Sequence, residues 1–139
     1  MSSAIPEIAV IDTHALIWWA AADRHRIGRR ALKFLDAVDD GRAIACVSTV
    51  ALVELSEALH FGAMLLDRRF DAVLNGMRDT PSRYQVVPLT LEIVARSHTL
   101  FAIQERGDRL TAATAAELGY PIVTRDPAIS AVAGLDHVW

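Results

Sequence analysis

Short apolar runs alternate with helix-patterned segments along the chain, and this alternation constrains the fold more than any other feature. EIAVID at 7–12, AIACV at 43–47, YQVVPL at 84–89 and PIVT at 121–124 have the length of strands and are apolar at most positions. A sheet with one wet face alternates polar and apolar residues, whereas a parallel sheet covered on both faces gives continuous apolar strands. The segments between them read as helices. THALIWWAA follows the first strand. Residues 29–40 place Ala31, Leu32, Leu35 and Val38 on one face, with Gly41 as the stop. Ser48 or Thr49 caps TVALVELSEALHFG, which ends at Gly62. Residues 65–77 give another helix, and Thr90 caps LEIVARSHTLFAI. Asp108 opens DRLTAATAAELG, which Gly119 closes. Asp126-Pro127 begins a short helix, and LDHVW is a candidate last strand. The pattern predicts an α/β fold with a central parallel β-sheet and helices on both faces.

Size and composition agree. The 139 residues suit a single domain, 1–139, with a substantial core, and 53% of them are hydrophobic. No apolar run reaches the roughly 18 residues of a membrane span. The first residues carry no basic segment ahead of an apolar one, so no membrane and a cytoplasmic location are expected. Cys46, the single cysteine, lies in an apolar run and reads as a small buried side chain. The net charge of −3 gives no global attraction to nucleic acid. Arginine clusters at 24, 26, 29 and 30 and at 68–69 read either as solvated helix faces or as a local phosphate-binding rim.

Ligands of parallel sheets bind beyond the carboxyl ends of the strands, so acids at those ends are informative. Asp12 ends the first strand and Asp126 follows the fourth. Asp108 opens a helix, where a capping role competes with a functional one. Glu54 shares a stripe with Val50, Ala58 and Phe61, and a carboxylate on an apolar stripe needs a partner. Glu57, beside Ser56 and His60, reads as solvated. If the four acids Asp12, Glu54, Asp108 and Asp126 converge, mutual repulsion drives some to protonate unless a cation intervenes. All-oxygen ligation favours Mg²⁺ or Mn²⁺ over Zn²⁺. Carboxylate clusters holding such ions recur in enzymes that cut phosphodiesters. His14, two residues after Asp12, is a ligand or base on one reading and a helix residue packing toward the sheet on another; since four carboxylates suffice, the second is preferred. Of Trp18 and Trp19, one is expected in the core and one at an interface. Leu59, Phe61, Met64, Leu65 and Leu66 form an apolar stretch suited to a partner or to self-association.

These residues also carry a family likeness. IDTHALIWW, STVALVELSEAL, GDRLTAATAAELG and PIVTRD occur in order and span nearly the whole chain. In this the chain resembles the PIN-domain ribonucleases, specifically the VapC-type toxins of type II toxin–antitoxin pairs. The resemblance implies a PIN-like (Rossmann-like) fold, Mg²⁺- or Mn²⁺-dependent endoribonuclease activity and a cognate small antitoxin; a homodimer is expected as well. The family's acidic positions fall on Asp12, Glu54, Asp108 and Asp126 as catalytic residues and metal ligands, and its hydroxyl positions on Thr13 and Thr124. Thr13 is otherwise a helix cap and Thr124 a β-branched strand residue. Gln104-Glu105-Arg106-Gly107-Asp108-Arg109 departs from the His-x-Asp-Pro-Phe-Asp-Arg of relatives with this opening; the Asp and the Arg after it remain.

The expected chemistry is hydrolysis of RNA to 5′-phosphate and 3′-hydroxyl ends, with Arg109 and Arg125 beside the acids to bind flanking phosphates or to pair with carboxylates. The alternative is a catalytically silent PIN-fold module that binds RNA or protein. A phosphoacceptor receiver domain, which also places acids at strand ends, needs a central acceptor Asp and a late strand-end lysine. The third strand lacks the first, and Lys33 is misplaced for the second.

Overall fold

Along the two central strands, successive residues bury into opposite cores. In β1 (Ile8–Ile11), Ala9 and Ile11 face one cluster and Val10 the other; in β2 (Ile44–Ser48), Ala45 and Val47 divide from Cys46 in the same way. This two-residue alternation with every side chain apolar is what a strand covered on both faces requires. The computed structural model describes residues 4–62 and 67–139, with the backbone only for 67–69. In chain order the elements are β1, α1 (Thr13–Ala20), a 3₁₀ turn at Arg24–Arg26, α2 (Arg29–Asp39), β2, α3 (Thr49–Phe61) and α4 (Asp67–Asp79). They continue with β3 (Tyr84–Val87), α5 (Leu91–Ser97), α6 (Arg106–Leu118), β4 (Ile122–Val123), α7 (Pro127–Ser130) and β5 (His137–Val138).

The strands form one parallel sheet, as the alternation predicts, and the structure orders them β3-β2-β1-β4-β5. The larger core cluster collects Leu16 and Trp18 of α1, Phe34, Leu35 and Val38 of α2, and Ala51, Leu55 and Leu59 of α3. The other face packs Ala112 and Ala115 of α6, Ile129 of α7 and Ile103 against Val10, Cys46 and Ile122. The alanines let α6 lie close to the sheet.

Several boundaries differ from the sequence reading. β3 ends at Val87 rather than at residue 89, because Pro88 has no N–H to continue a ladder. α5 stops at Ser97, where the Ser97 and Thr99 hydroxyls donate to the carbonyls of Val94 and Arg96. The predicted helix at 65–77 runs instead over Asp67–Asp79; residues 65 and 66 lie outside the described residues, as do Met64 and the side chains of Arg68 and Arg69. No helix among the described residues is long and apolar enough to cross a membrane.

Candidate metal centre

Because β1 lies between β2 and β4, its carboxyl end is flanked by both neighbours, and Asp12 occupies that point. The Asp12 N–H donates to Val123 O at 3.0 Å, extending the β1–β4 pairing by one residue. Its carboxylate caps α1, with Oδ1 accepting from the Thr13 N–H at 2.8 Å. Oδ2 accepts from the Thr124 hydroxyl at 2.8 Å. Asp12 is only 3% exposed, and burial raises its carboxyl above the ordinary value of 3.8 against the pull of those two bonds.

Thr124 is 0% exposed and joins two acids: its hydroxyl donates to Asp12 and accepts from the Asp126 N–H at 3.0 Å. A buried β-branched residue at this point therefore serves as a clamp for carboxylates, with no surface open to a substrate. Asp126 caps α7, its Oδ1 accepting from the Ala128 N–H at 2.9 Å. Thr13, also buried, donates its hydroxyl to Glu54 Oε1 at 2.7 Å and so ties α1 to α3.

Glu54 is half-buried. The apolar stripe inferred from the sequence is the flank of α3, where Phe61 is 80% exposed; the buried stripe is Ala51, Leu55 and Leu59. Glu54 thus reaches the sheet edge from the margin of the helix. Burial, with the charges of Glu105 and Asp12, raises its carboxyl in spite of the Thr13 bond. Leu59, expected on a surface stretch, belongs to the core, while Glu57 is solvent-exposed as expected.

Asp108 is not the cap of α6. Glu105 is: its Oε1 accepts from the Gly107 N–H at 3.0 Å and its Oε2 from the Asp108 N–H at 2.6 Å. Burial acts to raise Glu105, but these N–H donors outweigh it and hold the carboxyl below its usual value. Asp108, in the first turn and 9% exposed, is pushed up to about 8 by burial, by the charge of Asp12, and by its hydrogen bond to Asp126. The absence of a side chain at Gly107 is what allows this approach, since a Cβ there would collide with the Glu54 carboxylate. Glu105 was legible only as an acid three residues before Asp108, the spacing of a cap, and Gly107 gave no sign.

The remaining predicted residues divide. Arg109 donates to the carbonyls of Ile103 and Gln104 at 3.0 and 3.1 Å and stacks over Phe101 at 4.4 Å, so it fastens the loop before α6 instead of pairing with an acid. Arg125 is exposed and lies over the Trp18 ring at 4.6 Å. It borders a cleft of about 220 Å³ lined by Asp12, His14, Trp18, Asp126, Pro127 and Trp139 among others. Trp18 is in the core, as one tryptophan was expected to be, and Trp19 is partly buried beneath Arg24. Of the first arginine cluster, Arg24 pairs with Asp36 and Arg26 with Asp23, which neutralises part of that patch. His14 does not pack toward the sheet. It is exposed, with its ring against Trp18, and one of its nitrogens lies within 4.8 Å of carboxylate oxygens of Asp12 and Asp108.

The four acids thus meet at one sheet edge although they come from widely separated stretches. The donor set fits a divalent cation: an Asp12 oxygen, an Asp108 oxygen and a His14 nitrogen lie within 4.8 Å of one another, and burial with the neighbouring acids pushes Asp108 up to about 8, a repulsion that a cation would relieve.

Comparison with known proteins agrees with this geometry. The family model described as PIN domain matches residues 9–135. Among solved structures, VapBC2 from Rickettsia felis bound to a DNA fragment from its promoter aligns with a TM-score of 0.68 at 14% identity, covering 94% of this chain and 96% of that one. DNA-bound VapBC from Salmonella typhimurium gives 0.66 at 18%, covering 96% and 97%. A toxin–antitoxin complex from Klebsiella pneumoniae gives 0.61 at 20%, covering 91% and 94%. Comparison with curated proteins gives no match. With the family pattern spanning nearly all of its length and its acids gathered at the carboxyl edge of the sheet, the chain belongs to the PIN domain family.

Proposed function

We propose that this protein is a Mg²⁺- or Mn²⁺-dependent endoribonuclease and the toxin of a toxin–antitoxin pair. The observation that carries the reading is the convergence of Asp12, Glu54, Asp108 and Asp126, with Asp108 pushed up to about 8 by burial and by its acidic neighbours. A purely structural cluster gains nothing from that repulsion, whereas a cation site is stabilised once filled. Membership of the PIN family and the fold shared with toxin–antitoxin complexes support the same reading.

Asp12 and Asp108 would hold the cation, and Glu54 and Asp126 would complete its surroundings directly or through water. A bound Mg²⁺ or Mn²⁺ would supply acidity to an attacking water and positive charge for the phosphoryl oxygens. The chain's own residues set the geometry. Thr124 fixes Asp12 against Asp126, Thr13 fixes Glu54, and the backbone donors to Glu105 anchor the turn that carries Asp108. Arg125, which stacks on Trp18 at the rim, would take a flanking phosphate. Attack by water in line leaves a 5′-phosphate and a 3′-hydroxyl, and the ribose 2′-hydroxyl takes no part.

Exposed apolar side chains, among them Val53 and Phe61 on α3 and Leu91 and Val94 on α5, suit a cognate antitoxin and a second copy of the chain. The test is incubation of the purified chain with total RNA, followed by end-group analysis. Cleavage to 5′-phosphate ends that EDTA stops and Mn²⁺ restores is the expected result. Binding without cleavage would instead favour a silent RNA-binding module.

A further inference from the structure

We infer that His14 is a nitrogen ligand of the divalent cation and gives the site a preference for Mn²⁺ over Mg²⁺. The inference rests on the cation site proposed above. An imidazole nitrogen, an Asp12 oxygen and an Asp108 oxygen lie within 4.8 Å of one another, a spacing that one ion can bridge. His14 follows Asp12 by two residues in the first turn of α1, so the strand end that aims the carboxylate also aims the ring. The ring rests against Trp18 at 5.8 Å, which limits its rotation without removing it from solvent.

The donor set is therefore mixed, nitrogen with oxygen, and not all-oxygen as expected from the sequence. Magnesium is a hard ion that keeps oxygen ligands and much of its water, whereas first-row transition ions accept imidazole readily. A mixed site of carboxylates and one imidazole discriminates between Mg²⁺ and Mn²⁺, which carboxylates alone do weakly. Other histidines of the described chain lie in other elements: His25 in the 3₁₀ turn, His60 on α3, His98 after α5 and His137 on β5.

The experiment measures Mn²⁺ and Mg²⁺ affinity, with electron spin-echo modulation of the Mn²⁺-loaded protein, for the full chain, for His14→Ala and for Asp12→Asn. The wild type is expected to show nitrogen modulation from a bound imidazole, and His14→Ala to lose it. Mn²⁺ affinity should fall in His14→Ala by at least about tenfold, since removing even a group that only supports a ligand costs about tenfold to a hundredfold. Mg²⁺ affinity should barely change. His14 is exposed, so the variant should keep its fold, and circular dichroism verifies this. Absence of nitrogen modulation in the wild type, or equal weakening of both ions in His14→Ala, overturns the assignment. If Asp12→Asn still abolishes Mn²⁺ binding in that event, the carboxylate site stands and only the role of His14 falls. A wild type that binds neither ion removes the site and the inference together.

Discussion

Thr124 shows how one hydroxyl organises two acids. It donates to Asp12 Oδ2 and accepts from the Asp126 N–H, with no surface exposed. Thr124→Val keeps the shape of the side chain and leaves both partners unsatisfied. It should cost about 1–3 kcal/mol in denaturant unfolding and reduce cleavage more than it reduces RNA binding. Asp108 makes a complementary prediction. Its carboxyl ionises at about 8 in the fold, against 3.8 for the unperturbed group. Between those values the unfolded chain releases a proton that the folded chain retains, so the metal-free protein loses stability as pH rises from about 4 to about 8. Asp108→Asn should flatten that decline and raise the melting temperature at pH 8 by a few degrees while abolishing cleavage. Thermal melts in EDTA across this range check the sign; a wild-type melting temperature that climbs toward pH 8 with the same slope in both proteins contradicts it.

At the scale of elements, α6 approaches α3 only because Gly107 lacks a Cβ where Glu54 sits. Within a helix, Gly→Ala usually stabilises by roughly 0.5–1 kcal/mol, so the sign is diagnostic. Gly107→Ala should destabilise and impair cleavage, and pairing it with Glu54→Ala should recover stability but not activity, a coupling that a double-mutant cycle measures. The elements themselves were largely legible, since parallel strands buried on both faces leave continuous apolar runs and Ser48, Thr90 and Gly119 punctuate as expected. What the sequence could not display depends on pairing across the sheet. The bridge from Thr124 to Asp12 exists because β4 lies beside β1, and 112 residues separate the two. Glu105 displaced Asp108 from the cap because two backbone N–H groups were in reach of the earlier acid. Arg109 looked like a phosphate ligand from its neighbour in sequence, yet the loop carbonyls of Ile103 and Gln104 hold it. The stripe containing Glu54 was read correctly as helical but half a face away from the buried one.

For the whole molecule, the net charge of −3 understates the electrostatics, because the caps of α1 and α7 and acids on α3 and α6 crowd one sheet edge. Folding brings these charges together, and a cation binding only the folded chain would offset the repulsion. Mn²⁺ at a hundred times its dissociation constant should stabilise the protein by about 2.7 kcal/mol, reversed by EDTA. The central claim is that four carboxylates from four separate stretches act as one cation-dependent catalytic site. Its most direct test is single-turnover cleavage of RNA at saturating Mn²⁺ by the wild type and by Asp12→Asn, Glu54→Gln, Asp108→Asn and Asp126→Asn. Each folded variant should lose at least about a hundredfold in rate, as expected when a contribution of several kcal/mol is removed. Cleavage that survives EDTA, or a full rate in folded Asp12→Asn, would contradict the account.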